Sequence, residues 1–251
     1  MADTDRRALG QAYGSTWGRA EAAEIDVGLR QYMLRVYNYM ASGLLLSGIV
    51  AIVVANTGLQ DLFFQTTEAG KLGYTGLGLI AMLAPIGIIL GMSFGAARMS
   101  SAALQGLYWA LVGTMGIGFA VLLKVYTGES VARVFFITAA AYGALSLYGY
   151  TTKRSLSGFG TFLIMGLIGM VIAMVVNIFL ASSMLQFVIS SVGLLVFSGL
   201  TAYDTQRIKN EYFEVQGTTF EERGAIMGAV SLYLNFVNLF QILLSFLGNR
   251  E

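Results

Sequence analysis

The sequence contains no cysteine, no histidine and a single proline among its 251 residues. Without cysteine, the chain has no disulfide, no thiolate nucleophile and no cysteine-ligated metal. Without histidine, Ser–His catalysis and histidine-ligated zinc or haem are excluded as well. Charged residues make up 12% of the chain, about half the share of an ordinary soluble domain. The net charge of +1 offers no basic surface to nucleic acid.

Hydrophobic residues, in contrast, make up 56% of the chain. A soluble domain of this length has no core large enough to bury so much apolar surface. Seven membrane helices of roughly 20 residues each would use about 140 residues, which matches this fraction. The apolar runs are continuous and do not alternate with polar residues, so a β-barrel is excluded. We therefore predict an all-α polytopic protein embedded in a lipid bilayer.

Charged residues delimit the predicted membrane spans. The longest uncharged run, Ser155 to Tyr203, has 49 residues. As one helix it would be about 73 Å long, more than two bilayer cores, so it must fold back once. The least apolar break is Ala181-Ser182-Ser183. The seven predicted spans are roughly 38–58, 72–94, 103–123, 131–150, 159–181, 185–203 and 225–247.

Basic residues near the span ends predict the orientation of the chain. Eleven of them fall on the side of the N-terminus and four on the opposite side. By the positive-inside rule, the N-terminus is cytoplasmic and the C-terminus is outside. Residues 1–35 are too rich in acids and arginines for a cleavable signal peptide. We predict a polar cytoplasmic tail over residues 1–35 and a seven-helix transmembrane domain over 36–251.

Polar residues inside or beside apolar spans are candidates for function. Asp204 ends the sixth predicted span, where its partner is either Arg98 at the same membrane side or Arg207 in its own turn. The last span carries a polar stripe that is expected to face the bundle interior. There it would form hydrogen bonds between helices, line an ion pathway, or do both. The stripe consists of Ser231, Asn235, Asn238, Gln241 and Ser245.

Two further patterns have simpler interpretations. Gly87, Gly91 and Gly95 share one face of the second span, which favours close packing inside the bundle and, alternatively, a homodimer contact. The sequence thus leaves both a monomer and a homodimer open. The acidic residues between the last two spans are expected to form a solvated loop. They are Glu211, Glu214, Glu221 and Glu222.

Four segments together resemble the Bax inhibitor-1 (transmembrane Bax-inhibitor-motif) family in its bacterial form. The likeness runs over roughly residues 25–248, and its most specific part is the Tyr-Asp-Thr-Gln sequence at Asp204. The segments are Arg133-Val-Phe-Phe-Ile-Thr-Ala-Ala-Ala-Tyr-Gly, Leu147-Tyr-Gly-Tyr-Thr-Thr-Lys-Arg154, Phe197-Ser-Gly-Leu-Thr-Ala-Tyr-Asp204-Thr-Gln-Arg-Ile-Lys209 and Ser231-Leu-Tyr-Leu-Asn235-Phe-Val-Asn-Leu-Phe240.

The resemblance implies seven helices, a cytoplasmic N-terminus and a place in the bacterial inner membrane. It also implies a function, because bacterial members are described as pH-sensitive calcium leak proteins. In them, an aspartate of helix 6 and one of helix 7 share a proton and respond to an arginine of helix 2. Asp204 matches the first aspartate and Arg98 is the match for the arginine, whereas Asn235 replaces the second aspartate.

This replacement has a chemical consequence. Two close carboxylates repel each other, which raises the pKa of one of them, whereas a carboxylate beside an amide lacks this repulsion. We therefore predict a calcium leak that responds less steeply to pH than in relatives with two aspartates. Asp204 is the predicted gate and weak calcium ligand, Arg98 its latch and Asn235 its neutral partner. Asn238 and Arg207 complete the predicted ion pathway. No bound cofactor is expected.

A second class of function stays open from the sequence. The resemblance also implies a non-conducting regulator that binds a membrane-bound ATP-dependent protease or another membrane protein, with the N-terminal tail as its contact. Enzymatic activity is not predicted. An intramembrane aspartyl protease needs two aspartates, and the spans offer only Asp204.

Overall fold

The computed structural model describes the backbone of residues 2–66 and 72–250 and the side chains of residues 27–66 and 73–250. Over these residues the chain is almost entirely helical. The helices are α1 (Ala2–Asn56), α2 (Gln60–Phe63), α3 (Gly76–Gly95), α4 (Ser101–Phe119), α5 (Leu122–Val125), α6 (Gly128–Thr151), α7 (Ser157–Leu180), α8 (Ser183–Val215) and α9 (Glu221–Leu247). Two short antiparallel strands, β1 (Phe64–Thr66) and β2 (Leu72–Tyr74), form a hairpin between α2 and α3.

Within the described residues, seven helices are long and apolar enough to cross a membrane. The predicted all-α fold with seven transmembrane helices is thereby confirmed, while the direction of the chain across the membrane stays a prediction. The spans are Val27–Asn56, Gly76–Gly95, Ser101–Val125, Gly128–Thr151, Ser157–Leu180, Ser183–Val215 and Glu221–Leu247.

The predicted fold-back inside the longest apolar run is also confirmed. Ala181 ends α7 in the left-handed region, with φ of 47°. Ser182 then caps α8, because its Oγ accepts a hydrogen bond from the Leu185 N–H at 3.3 Å. The Asn177 Oδ1 accepts the Ser182 N–H at 3.0 Å. Asn177 therefore stabilises the turn between the two helices.

Two predicted boundaries differ from the structure. The sixth span was expected to end at residue 203, but α8 continues to Val215. Arg207 on this helix pairs with Asp204 and lies near Glu211, so charge here marks the edge of the apolar segment and not the helix end. The predicted tail boundary at residue 35 lies inside α1, where Leu29 and Tyr32 are already buried in the bundle. The side chains of residues 1–26 lie outside the described residues.

Helix α9 lies at the centre of the bundle and contacts α1, α4, α6 and α8. Leu232, Tyr233 and Leu244 on this helix are completely buried. The most apolar span, α7, is in contrast the least buried one. This difference in burial between α9 and α7 is expected in a lipid bilayer, because lipid accepts apolar side chains but provides no hydrogen-bond partners for polar ones.

The bundle has two distinct ends. At the α8–α9 end lie the connections between α3 and α4, α6 and α7, and α8 and α9. Arg223, near the start of α9, reaches the α3–α4 connection by donating from Nη1 to the Ala97 carbonyl at 3.2 Å. At the hairpin end lie the β1–β2 hairpin and the last residues of the chain, where the Thr127 N–H donates to the Asn249 carbonyl at 3.1 Å.

The glycine face on α3 does not pack as expected. Around Gly87 and Gly91, no described atom lies within 4 Å of the position that a Cβ would take. The predicted close packing inside the bundle is therefore absent at these two positions. Close contact occurs at Gly149 of α6 instead, where a Cβ would lie 2.2 Å from the carbonyl oxygen of Ala202.

Two buried tyrosines provide a test of the packing between helices. The Tyr233 hydroxyl shares a hydrogen bond of 2.7 Å with Ser47 Oγ, which donates to the Val112 carbonyl and so joins α9, α1 and α4. The Tyr32 hydroxyl has no hydrogen-bond partner among the described residues. We expect Tyr233→Phe to cost about 1–2 kcal/mol of unfolding free energy, whereas Tyr32→Phe should be neutral or stabilising. Thermal unfolding of both variants in detergent tests this, and equal losses would contradict it.

Candidate functional site

Asp204 lies on α8 with only 13% of its side chain exposed, and both carboxylate oxygens are engaged. Its Oδ1 accepts a hydrogen bond from Arg207 Nε at 3.0 Å. Its Oδ2 accepts one from Asn235 Nδ2 of α9 at 2.8 Å. Of the two partners that the sequence left open, the structure thus places Arg207, from the same helical turn, against Asp204.

Arg207 connects this buried carboxylate to the surface. Its Nη2 donates to Ser231 Oγ of α9 at 3.0 Å, and its Nη1 lies 3.9 Å from Glu211 Oε2. The Arg207 side chain is 41% exposed. It also lines a polar pocket of about 410 Å³ at the α8–α9 end, together with Asn210, Glu211 and Glu214. We call this cavity the outer pocket, because it lies nearer to the α8–α9 end of the bundle than Asp204 does; this end is the one predicted to be cytoplasmic.

Thr205 and Gln206, the residues that follow Asp204, each contact a different part of the molecule. Thr205 Oγ1 shares a hydrogen bond of 3.0 Å with Ser146 Oγ of α6. Gln206 accepts the Leu156 N–H at 2.7 Å and donates to the Arg154 carbonyl at 2.8 Å, so it holds the α6–α7 connection.

Tyr203 and Lys209, on either side of this stretch of α8, contact α7 and α6. The Tyr203 ring packs on Gly160 of α7, where a Cβ would lie 2.2 Å from a ring carbon. Lys209 Nζ donates to the Tyr150 carbonyl of α6 at 2.8 Å. The distinctive Tyr-Asp-Thr-Gln segment is thus the stretch of α8 where α6, α7 and α9 are all joined, which positions Asp204 within narrow limits.

Arg98 forms neither a hydrogen bond nor an ion pair with Asp204. It is exposed in the turn after α3, and it forms no ion pair with any residue whose side chain is described. The predicted pairing of Arg98 with Asp204 is not present in this conformation. The arginine that α8 itself supplies, Arg207, occupies that place.

The four acidic residues expected in a solvated loop lie instead in the last turns of α8 and the first turn of α9, and the two on α9 contact α1. Glu222 accepts hydrogen bonds from Arg35 Nη1 at 2.7 Å and from the Tyr39 hydroxyl at 2.8 Å. Glu221 lies 3.8 Å from the same arginine nitrogen. These contacts join the start of α9 to α1. Sequence reasoning missed them, because the partners are 183 residues or more apart in the chain.

The polar stripe of α9 divides into two parts. Ser231 and Asn235 contact the Arg207–Asp204 pair, as an inward-facing stripe would. Asn238 instead donates from Nδ2 to the Leu234 carbonyl of its own helix at 2.7 Å. Gln241 and Ser245 are exposed, so the expectation that the whole stripe faces the interior is wrong.

A hydrogen-bonded chain on α6 was not recognised from the sequence. The Tyr37 hydroxyl of α1 bonds to Ser146, which in turn bonds to Thr205 beside Asp204. One turn earlier, the Tyr142 hydroxyl donates to the Leu232 carbonyl of α9 at 3.1 Å. The available signal was the spacing of Thr138, Tyr142 and Ser146, which places three polar groups on one face of an apolar helix.

The donor set at Asp204 does not suit a resident calcium ion. Calcium takes about six to eight oxygen ligands, whereas Asp204 is faced by N–H groups of Arg207 and Asn235. Among the described residues, no group of three or more acidic, histidine or cysteine side chains is placed to hold a metal. In this conformation the site is an ion pair with an amide cap.

Comparison with known proteins agrees with this architecture. The family described as inhibitor of apoptosis-promoting Bax1 matches residues 29–251. The chain is 47% identical over 227 residues to the uncharacterized protein RP147 of Rickettsia prowazekii, covering 90% of this chain and 92% of that protein. It is 41% identical over 227 residues to the inner membrane protein YbhL of Escherichia coli, covering 89% and 94%. With seven apolar spans, it is an integral protein of the bacterial inner membrane. The chain belongs to the Bax inhibitor-1 family.

Proposed function

We propose that this protein is a passive cation leak, with calcium as the permeating ion and Asp204 as its gate. The observation that carries the proposal is the position of Asp204. Its nearly buried carboxylate is held by Arg207, which lines the polar outer pocket, and by Asn235 of the central helix. A carboxylate in this position is costly in a membrane protein and typical of an ion pathway.

The arrangement corresponds to a closed gate. Both Asp204 oxygens are occupied by N–H donors, and apolar side chains such as Leu200, Phe236 and Leu239 fill the bundle around α8 and α9. A cation reaching the outer pocket therefore finds no free carboxylate below it. Opening requires that Arg207 leaves Asp204.

Glu211 provides the alternative partner that such an opening needs. It lies 3.9 Å from Arg207 Nη1, one turn closer to the α8–α9 end. A short movement of the exposed guanidinium toward Glu211 would leave Asp204 with Asn235 alone. The amide of Asn235 can then present its oxygen, so that one carboxylate and one neutral oxygen meet the ion. Such a site binds calcium weakly, which conduction requires.

The test is calcium flux into proteoliposomes that contain the full chain. We expect flux above that of empty vesicles, and we expect Asp204→Asn to lower it at least about tenfold, because the variant loses the charge that attracts the cation. The matched control is Asp61→Asn, which makes the same change at an exposed residue of the hairpin end. It should conduct like the wild type.

Two results would contradict the proposal. If folded wild-type protein conducts no better than empty vesicles, the chain is not a leak, and the function of binding a membrane protein becomes the better hypothesis. If Asp204→Asn and the wild type conduct equally, ions pass elsewhere and Asp204 is not the gate.

A further inference from the structure

A groove between α1 and α6 is not lined by Asp204, Arg207 or Asn235. It borders the hydrogen-bonded chain of Tyr37 and Ser146 that reaches Thr205. It encloses about 650 Å³, a volume typical of a small-molecule pocket. Its walls are largely apolar and aromatic, with Met33, Tyr37 and Leu44 from α1 and Gly143 from α6. Phe236 of α9, which is 3% exposed, also lines it.

The length of the groove matches one leaflet of a bilayer. From Arg30 to Leu44, α1 rises about 21 Å at 1.5 Å per residue. One leaflet, with its headgroup region, contributes about half of a bilayer that is roughly 40–45 Å thick. Leu44 lies near the middle of the Val27–Asn56 span and Arg30 near its start. Arg30 is thereby placed at the level of lipid headgroups, and Leu44 near the bilayer midplane.

The mouth of the groove is positively charged. Arg30 is exposed there and has no carboxylate partner among the residues whose side chains are described. Lys209 Nζ lies 5.0 Å from the ring centre of Tyr150, which lines the same mouth. This ammonium group donates one hydrogen bond to the Tyr150 carbonyl. Among the residues with described side chains, no other acceptor engages its two remaining N–H groups.

The inner end of the groove is entirely apolar. Leu44 and Phe236 also line a second cavity of about 150 Å³, whose other walls include Phe119, Phe135 and Phe240. A ligand that follows the groove therefore meets cations at one end and hydrocarbon at the other. Basic pockets between transmembrane helices bind anionic lipid headgroups in this way.

We propose that this groove binds an anionic phospholipid, with one acyl chain along α1 and α6 and the phosphate between Arg30 and Lys209. The occupant is a lipid because the groove is the length of a leaflet. It is anionic because Arg30, the charged residue that lines the groove, is a cation, and the second charged group near this end, Lys209 beside Tyr150, is a cation too. This binding does not depend on whether the protein conducts calcium.

The headgroup contact is tested by native mass spectrometry of the full chain, purified in detergent and mixed with phosphatidylglycerol or phosphatidylethanolamine. We expect one retained phosphatidylglycerol, bound at least about fivefold more tightly than phosphatidylethanolamine. Arg30→Gln should lower the phosphatidylglycerol affinity about fivefold. Lys124→Gln removes the same charge at the hairpin end and should leave the affinity unchanged.

The acyl-chain contact is tested by filling the groove. No described atom lies within 4 Å of a Cβ at Gly143, so the side chain of Gly143→Leu starts in the open space of the groove. We expect this variant to keep its melting temperature and lose the retained lipid. Gly169→Leu on α7 is the control, because Gly169 is equally open but outside the groove. The proposal is overturned if the two lipids bind equally, or if Arg30→Gln and Gly143→Leu both retain phosphatidylglycerol as the wild type does.

Discussion

Replacing Asn235 by Asp is expected to make the proposed calcium leak steeply dependent on pH. In the wild type, Asn235 donates to the Asp204 carboxylate at 2.8 Å, and this amide does not titrate. An Asp at position 235 would place a second carboxylate at hydrogen-bonding distance, and two carboxylates that close must share a proton or repel each other.

The proton shared by the two carboxylates sets the direction in which the flux changes with pH. At low pH the shared proton bridges α8 and α9 and keeps the gate closed. As the pH rises the proton leaves, and two like charges push the helices apart. We therefore expect the flux of Asn235→Asp to rise between about pH 6 and 8 and its melting temperature to fall over the same range. The wild type should change little in either measurement.

Asn238→Asp is the matched control for this prediction. It adds a carboxylate to the same helix, but Asn238 faces the Leu234 carbonyl and not Asp204. Its pH profile should stay as shallow as that of the wild type. If Asn235→Asp has the same shallow profile, the neighbourhood of Asp204 and Asn235 does not control the leak.

Replacing Gly149 by Ala is expected to have the largest effect on stability. A Cβ at this position of α6 would lie 2.2 Å from the Ala202 carbonyl oxygen and 2.9 Å from the carbonyl carbon. Backbone atoms cannot rotate away, so α6 and α8 must separate. Overpacking of this kind costs about 1–3 kcal/mol or more. Separation would also stretch the Ser146–Thr205 hydrogen bond, one turn from Gly149.

Gly143, on the same helix α6, provides the control for Gly149→Ala. Gly143→Ala makes the identical substitution where no described atom lies within 4 Å of the new Cβ. Because alanine favours a helix over glycine by about 1 kcal/mol, Gly143→Ala should melt at or above the wild-type temperature. We expect Gly149→Ala to melt roughly 5–10 °C lower. Equal melting temperatures for the two variants would show that α6 and α8 are not held together at Gly149.

Much of the fold could be predicted because each membrane-spanning segment must itself be long and apolar enough to cross the bilayer. Long uncharged runs gave the number of spans, and the weak break at Ala181-Ser182-Ser183 located the turn that Asn177 stabilises. The β1–β2 hairpin was missed because each strand has three residues, too few for an alternating pattern. The end of α8 was placed too early because a charged residue marks the edge of an apolar segment but does not stop a helix.

The candidate site was predicted less completely. Asp204 was singled out as an acid at the end of an apolar run, and Asn235 by its place in the family motif. The sequence could not choose between Arg98 and Arg207, because both are on the same predicted side of the membrane. It also could not pair Glu222 with Arg35 or Ser146 with Thr205, because such pairs depend on which helices are neighbours.

The sequence by itself determined that the protein is a seven-helix membrane protein and that an isolated aspartate lies at the edge of one span. Lipid imposes these features on each segment separately, because it solvates neither charges nor free backbone groups. The tertiary structure decided that Arg207 and Asn235 hold Asp204, that Gly149 and not Gly87 meets a neighbouring backbone, and that a charged groove opens between α1 and α6. These features depend on how each helix is rotated about its axis and on which helices are neighbours. The sequence does not determine either, because apolar helical faces can pack against one another in many arrangements.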